Sequence, residues 1–70
     1  MQYAIVIEQT PSNYSAYAPD LPGCVATAAT IEELETRMRD AIEFQLDGMR
    51  ADGLPLPQPT SRVDYIDVAA

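Results

Sequence analysis

Carboxylates are the side chains of this sequence with the greatest capacity for chemistry, because aspartate and glutamate total 11 and histidine is absent. Asp40, Glu43 and Asp47 have the spacing i, i+3 and i+7, which places them on one face of a helix, where they could hold a divalent cation. The alternative is a solvated polar face, and the interspersed arginines favour it. We therefore expect no metal ion and no other cofactor. The other carboxylates considered as metal ligands are Asp20, Asp64 and Asp67.

The remaining side chains give little support for catalysis. Without histidine, the commonest acid–base and triad mechanisms are excluded. Cys24 is the one cysteine and has no cation beside it in the sequence, so we predict a small core residue rather than a nucleophile. No glycine-rich phosphate-binding loop is present. We predict that the protein is not an enzyme.

The charge balance favours a protein partner. The net charge is −7, with four arginines and no lysine. Such a surface repels nucleic acid and anionic lipid, so we expect no direct nucleic-acid or membrane contact. It suits a basic protein, although acidity also keeps a small protein soluble. The sequence has no signal peptide and no apolar run long enough to span a membrane, and a lone cysteine fits a reducing compartment, so we expect a cytoplasmic location.

Three β-strands are predicted at residues 2–8, 14–18 and 24–28, separated by a turn at 9–13 and a break at 19–23. The first strand is apolar on both faces, which is typical of a central strand covered on both sides. One helix can cover only one side, so we expect a second subunit to cover the other. Because a 70-residue chain buries a modest share of its surface, a homo-oligomer, either a dimer or a tetramer, is expected.

A long helix is predicted from Ile31 to about Ala51. Thr30 and Glu33 form the pattern of a capping box, and Gly53 followed by Pro55 is typical of a helix end. Gln45 lies inside the apolar stripe, and Phe44 lies well outside it. The stripe consists of Ile31, Leu34, Met38, Ala41, Ile42, Leu46 and Met49.

After the helix, alternating prolines at 54–59 predict an extended arm, and residues 62–68 alternate in the manner of a fourth strand. The predicted fold is therefore α+β, in the order β-β-β-α-β. It is an antiparallel sheet of three to four strands with one long helix on one face.

The most specific motif is Pro19-Asp20-Leu21-Pro22-Gly23-Cys24. Its first Pro-Asp pair can start a turn, its Pro-Gly pair can supply a type II turn, and its leucine can fill the core. It is followed by the Thr30-Ile31-Glu32-Glu33 helix start, by Asp52-Gly53 and by Pro55-Leu56-Pro57. This order of four signals resembles the N-terminal domain of HicB-like antitoxins. The resemblance extends from Tyr3 to about Val68, and we treat residues 1–70 as a single domain of this type.

The resemblance implies a partial RNase H-like fold and a role in a type II toxin–antitoxin system. The implied partner is a small, basic, mRNA-cleaving HicA-type toxin, which the antitoxin would bind and mask. Family members often carry a C-terminal DNA-binding domain, and no such segment occurs up to Ala70. We therefore expect no autorepression by these residues.

Two sets of residues are candidates for contact with a partner. The first is the motif of residues 19–24. The second combines Phe44, an aromatic on an otherwise polar helix face, with Asp40, Glu43 and Asp47 around it, and with Tyr17 on a predicted strand. For the tyrosine, packing within the sheet is the alternative.

Two other functions remain open from the sequence. One is an orphan oligomeric scaffold or regulatory domain of the same fold, without a toxin partner. The other is a metal-dependent nuclease that uses the acidic clusters. A toxin-like reading frame beside the gene would favour the antitoxin, and RNA cleavage with Mg²⁺ or Mn²⁺ would favour the nuclease.

Overall fold

The computed structural model describes residues 1–70 and contains a three-stranded sheet with a helix across one face. The strands are β1 (Val6–Gln9), β2 (Tyr14–Tyr17) and β3 (Val25–Ala28), and the helix is α1 (Ile31–Ala51). The sheet order is β1-β2-β3, and both pairs are antiparallel. The predicted α+β class, the antiparallel sheet and the position of the helix are confirmed.

The first strand differs from its prediction in length and position. It begins at Val6 rather than at residue 2, and it lies at the edge of the sheet, with β2 in the centre. Val6 pairs with Tyr17, so earlier residues would need partners beyond the end of β2. There the chain turns into Pro19, which has no N–H to donate to a ladder. The apolar character of this segment therefore does not indicate a central strand.

The helix follows its prediction at both ends. The Thr30 hydroxyl accepts a hydrogen bond from the Glu33 N–H at 3.2 Å, which is half of the expected capping box. The Glu33 carboxylate pairs with Arg37 instead of returning to the cap. At the other end Gly53 has a φ of +69°, and the N–H of Leu54 donates to the Met49 carbonyl at 2.9 Å. This is a Schellman motif, and it stops the helix.

The core lies between α1 and the inner face of β2 and β3. The strands contribute small residues to it, and the helix and the 19–24 loop contribute long ones. Small strand residues let the helix approach the sheet closely, so that Leu34 and Met38 are almost fully buried. Gln45, the polar residue of the stripe, donates to the Pro22 carbonyl at 3.5 Å. The buried residues are Ala16, Ala18, Leu21, Cys24, Ala28, Leu34, Met38 and Leu46.

The predicted fourth strand at 62–68 is wrong, because these residues form no strand and pair with no sheet edge. Alternating apolar residues give a segment the side chains of a strand, but its backbone also needs a neighbouring strand for its hydrogen bonds. Three strands and one helix do not confirm the RNase H-like description.

Candidate functional site

The 19–24 motif forms two consecutive turns between β2 and β3. The N–H of Leu21 donates to the Ala18 carbonyl at 3.1 Å, and the N–H of Cys24 donates to the Leu21 carbonyl at 3.0 Å. Gly23 has a φ of +81°, as the third residue of a type II turn after proline requires. A further bond from the Ala18 N–H to the Cys24 carbonyl, at 3.1 Å, closes the loop. The turns expected from the motif are thus present.

The side chains of this loop divide between the core and the surface. Leu21 and Cys24 are buried against the helix, whereas Pro19, Pro22 and Gly23 are exposed. Burial raises the pKa of the Cys24 thiol, so the thiol stays protonated and unreactive at neutral pH. Only the exposed members of the motif are accessible to a partner, and partner contact by the loop remains a prediction.

Asp20 connects the loop to the arm that follows the helix. Its carboxylate accepts hydrogen bonds from the N–H and the hydroxyl of Thr60, at 3.0 and 3.1 Å. It accepts two more from the N–H and the hydroxyl of Ser61, at 2.9 and 2.8 Å. These bonds, with the Ser61 N–H foremost, lower the pKa of Asp20. The carboxylate of the motif is therefore already engaged in hydrogen bonds with its own chain.

Two other contacts hold the same arm. Leu56 packs against the core, and the Tyr3 hydroxyl donates a hydrogen bond to the Pro57 carbonyl at 2.5 Å. The arm thus runs back along the body instead of projecting from it as a free polyproline segment. Sequence reasoning missed this docking. Its signal was the pair of hydroxyl residues, Thr60 and Ser61, directly after the last proline.

An acidic aromatic patch occupies the solvent side of α1. We define the Phe44 patch as Phe44 with Asp40, Glu43 and Asp47, which lie within one turn of it. The ring is 83% exposed. Asp47 pairs with Arg50 at 2.9 Å, whereas the other two carboxylates take part in none of the ion pairs. An exposed ring surrounded by carboxylates can receive a lysine or arginine by cation–π contact and ion pairing.

Tyr17 is not part of this patch. Its neighbour Ala16 is buried beneath the helix, so the alternation of β2 directs Tyr17 to the outer face of the sheet. There it lies between its ladder partners Val6 and Val25, and Val25 is 64% exposed. The structure thus separates the predicted interface residues onto two faces. The register of the strands also places Val6 and Val25 on either side of Tyr17. This grouping is visible only once the register is known.

The carboxylates considered as metal ligands in the sequence do not come together in the folded chain as a group of three. No group of three or more carboxylates or thiols is arranged to hold a metal ion. No helix of the chain has the length and apolar character needed to cross a membrane.

Comparison with known proteins places this geometry in a family. The family described as "HicB_like antitoxin of bacterial toxin-antitoxin system" matches residues 3–69. A UPF0150 protein of Helicobacter pylori is 35% identical over 65 residues, which are 91% of this chain and 90% of that protein. A UPF0150 protein of Archaeoglobus fulgidus is 42% identical over 48 residues, 67% of this chain and 70% of that one.

A phage relative is longer. The "Uncharacterized 14.9 kDa protein in rep-hol intergenic region" of Haemophilus phage HP1 is 34% identical over 67 residues, 96% of this chain. The present chain spans 50% of the length of that relative. Among solved structures, a chain of the "HicA3 and HicB3 toxin-antitoxin complex" superposes with a TM-score of 0.70 and 27% identity. The match covers 86% of this chain and 70% of that one.

Proposed function

The chain belongs to the HicB-like antitoxin family, and from this premise we propose that it binds a small, basic HicA-type toxin and masks its mRNA-cleaving site. The observation that carries the proposal is the family match over residues 3–69. It is supported by the structural match to a chain from a toxin–antitoxin complex. Because the target of such a toxin is mRNA, we place the protein in the cytoplasm.

The Phe44 patch is the surface that we assign to the toxin. Its carboxylates and the net charge of −7 attract a basic protein and speed the encounter between the two. Once the proteins meet, the exposed ring supplies the desolvated aromatic contact that dominates many interfaces. A toxin surface that binds the RNA backbone carries the lysines and arginines that such a patch accepts, so antitoxin and RNA would compete for the same cations.

Binding, rather than catalysis, is the role that these side chains support. The chain has no histidine, its thiol is buried, and the Asp20 carboxylate is occupied by the arm. The carboxylates of the Phe44 patch lie exposed to solvent on a helix surface, where a basic partner can reach them. We therefore propose that masking is steric and electrostatic, with no reaction on the antitoxin.

A second candidate is an oligomeric regulatory domain of the same fold without a toxin. The observation in its favour is the apolar row Val6, Tyr17 and Val25 on the uncovered face of the sheet. Such a row suits association between sheets. The two candidates differ in whether the protein neutralises a toxin.

Co-expression tests the antitoxin role directly. A HicA-type toxin from the same gene neighbourhood is induced with and without this protein, and growth and mRNA integrity are followed. We expect the protein to restore growth and to co-purify with the toxin. The proposal is wrong if the toxin arrests growth equally in both cultures while the two proteins are shown to accumulate. A catalytically inactive toxin serves as the growth control.

A further inference from the structure

Gly48 is a glycine that neither the backbone nor the packing of the fold requires. It lies within α1, and the only glycines with a positive φ are Gly23 and Gly53. A Cβ atom added to Gly48 would meet no neighbouring atom within 4 Å. Apart from proline, glycine is the least favourable residue of a helix interior, because it loses the most backbone freedom on folding. An alanine would therefore suit the free protein better, so the reason for the glycine lies outside the fold.

The glycine lies in solvent beside the exposed ring of Phe44. The two residues are i and i+4 on α1, so their Cβ positions are neighbours on one surface, about 5–6 Å apart. The ring is 83% exposed, and Gly48 is exposed as well. We define the Gly48 hollow as the space over Gly48 next to this ring. A projecting ring beside a position without a side chain is the combination of ridge and hollow into which a second protein surface packs.

The 19–24 loop borders the hollow on the side away from the ring. At about 100° per residue, Gly48 lies between Phe44 and Gln45 in the view along the helix axis. The Gln45 amide donates a hydrogen bond to the Pro22 carbonyl at 3.5 Å, which places the loop next to this side of the helix. Pro22 is itself exposed. The exposed part of the motif and the Phe44 patch therefore flank one depression.

The carboxylates of the Phe44 patch lie on the other side of the ring. Asp40, Glu43 and Asp47 all project within about 100° on one side of Phe44, whereas Gly48 projects about 40° to the opposite side. A lysine or arginine that stacks on the ring turns its cationic end towards the carboxylates. The stem of that side chain then crosses the ring, and the main chain from which it extends comes down over Gly48.

We propose that the Gly48 hollow receives the main chain of the basic toxin at the residue whose lysine or arginine contacts Phe44. The inference rests on the proposed function, and it adds the residue that sets how closely the two proteins approach. Without a side chain at position 48, the toxin reaches the helix backbone and the wall formed by Pro22. A side chain there would hold the toxin away from the ring and the carboxylates together, so Gly48 is a specificity-determining residue of this interface.

Enlarging residue 48 tests the assignment, because stability and binding should change in opposite directions. Gly48→Ala should raise the midpoint temperature of thermal unfolding of the free protein by roughly 2–8 °C. It should nevertheless weaken binding of a catalytically inactive HicA-type toxin by about threefold or more. Gly48→Leu should keep the helical circular dichroism signal, since leucine is a good helix former, and weaken binding by roughly tenfold or more. Isothermal titration gives both affinities.

Ala29→Leu is the control, because it introduces a leucine at an exposed residue just before the opposite end of the helix. Its affinity for the toxin should equal that of the parent chain. Equal affinities in the parent chain and both Gly48 variants overturn the inference while the proposed function stands. A parent chain that binds no toxin overturns both. A loss of stability in Gly48→Ala would show that the fold itself requires the glycine, and an equal loss of affinity in Ala29→Leu would show that the effect is not local. Either result overturns the inference.

Discussion

The carboxylate of Asp20 accepts two hydrogen bonds from Ser61, one from the N–H at 2.9 Å and one from the hydroxyl at 2.8 Å. The residues are 41 positions apart, on the loop before β3 and on the arm after the helix. The contact makes the 19–24 motif a structural clasp, because it fixes the point from which residues 64–68 leave the body.

Removing the Asp20 carboxylate should release the arm while leaving the sheet and helix in place. In Asp20→Ala, the amides of Thr60 and Ser61 lose their acceptor, so their hydrogen exchange should approach the rate of an unstructured chain. Asp67→Ala removes an exposed carboxylate that is absent from the hydrogen bonds to the arm, and it should leave these amides unchanged. Exchange monitored by mass spectrometry or NMR compares the two variants. Equal protection in Asp20→Ala and the parent chain would show that the other arm contacts suffice.

The same carboxylate should make stability depend on acidity. Its pKa in the folded chain lies below the ordinary value of 3.8, mainly because of the hydrogen bond from the Ser61 N–H. A lowered pKa means that the stabilisation is fully present above the pKa of the unfolded chain. It is lost as the pH falls through that value towards the lower folded one. The midpoint temperature of thermal unfolding is measured from neutral pH into this acid range. It should fall more steeply for the parent chain than for Asp20→Asn. Parallel curves would contradict the assignment.

Leu21 is the residue of the motif on which folding depends most. It is fully buried between the sheet and the helix, so Leu21→Ala leaves a cavity and should lower the free energy of unfolding by about 2–5 kcal/mol. Leu54→Ala removes the same atoms from a side chain that is 51% exposed, and it should cost much less. Urea unfolding followed by circular dichroism measures both. Similar losses in the two variants would mean that the loop does not fill the core.

Two glycines should respond in opposite directions to alanine. Gly23 has a φ of +81°, where a Cβ atom is strained although no neighbour blocks it, so Gly23→Ala should cost about 1–2 kcal/mol of unfolding free energy. Gly48 lies within α1, and a Cβ there also meets no neighbour, so Gly48→Ala should stabilise by about 0.5–1 kcal/mol. Thermal or urea unfolding gives the sign of each change. A stabilising Gly23→Ala would exclude the type II turn.

Local sequence signals predicted the parts of this fold that depend on neighbouring residues. Thr30, Gly53 and the apolar stripe define the helix, and Pro22 with Gly23 defines a turn, because caps and turns are set within a few positions. The edge position of β1 and the unpaired 62–68 segment depend on which strands meet across the chain. Side-chain pattern alone leaves that choice open. The Asp20 clasp was missed for the same reason, since its partners are distant in sequence.

The sequence identifies the residues of the candidate site, but it does not show which of them share a surface. Phe44 stands out in the sequence because an aromatic interrupts a polar helix face, and the helical period joins it to Asp40, Glu43 and Asp47. The placement of Tyr17 required the register, since a shift of one residue would turn its side chain towards the helix. The groove between residues 1–5, the helix and residues 61–63 could not be predicted from the sequence, because these segments meet only in the folded chain.

Substitution of Phe44 should weaken toxin binding while leaving the stability of the free protein almost unchanged. This contrast should be clearer at Phe44 than at any other residue. The ring is 83% exposed and packs against no core residue, so Phe44→Ala should change the free energy of unfolding by no more than about 0.5 kcal/mol. If the ring is the central contact with a basic toxin, the same change should weaken binding by at least about 2 kcal/mol, a loss of roughly thirtyfold in Kd. Val25→Ala removes an exposed apolar side chain from the opposite face, and the affinity should stay at the parent value. Isothermal titration of an inactive toxin with each variant measures the affinities, and thermal unfolding of the free proteins measures the stabilities. Unchanged affinity in Phe44→Ala with a loss in Val25→Ala would move the toxin-binding surface to the outer face of the sheet.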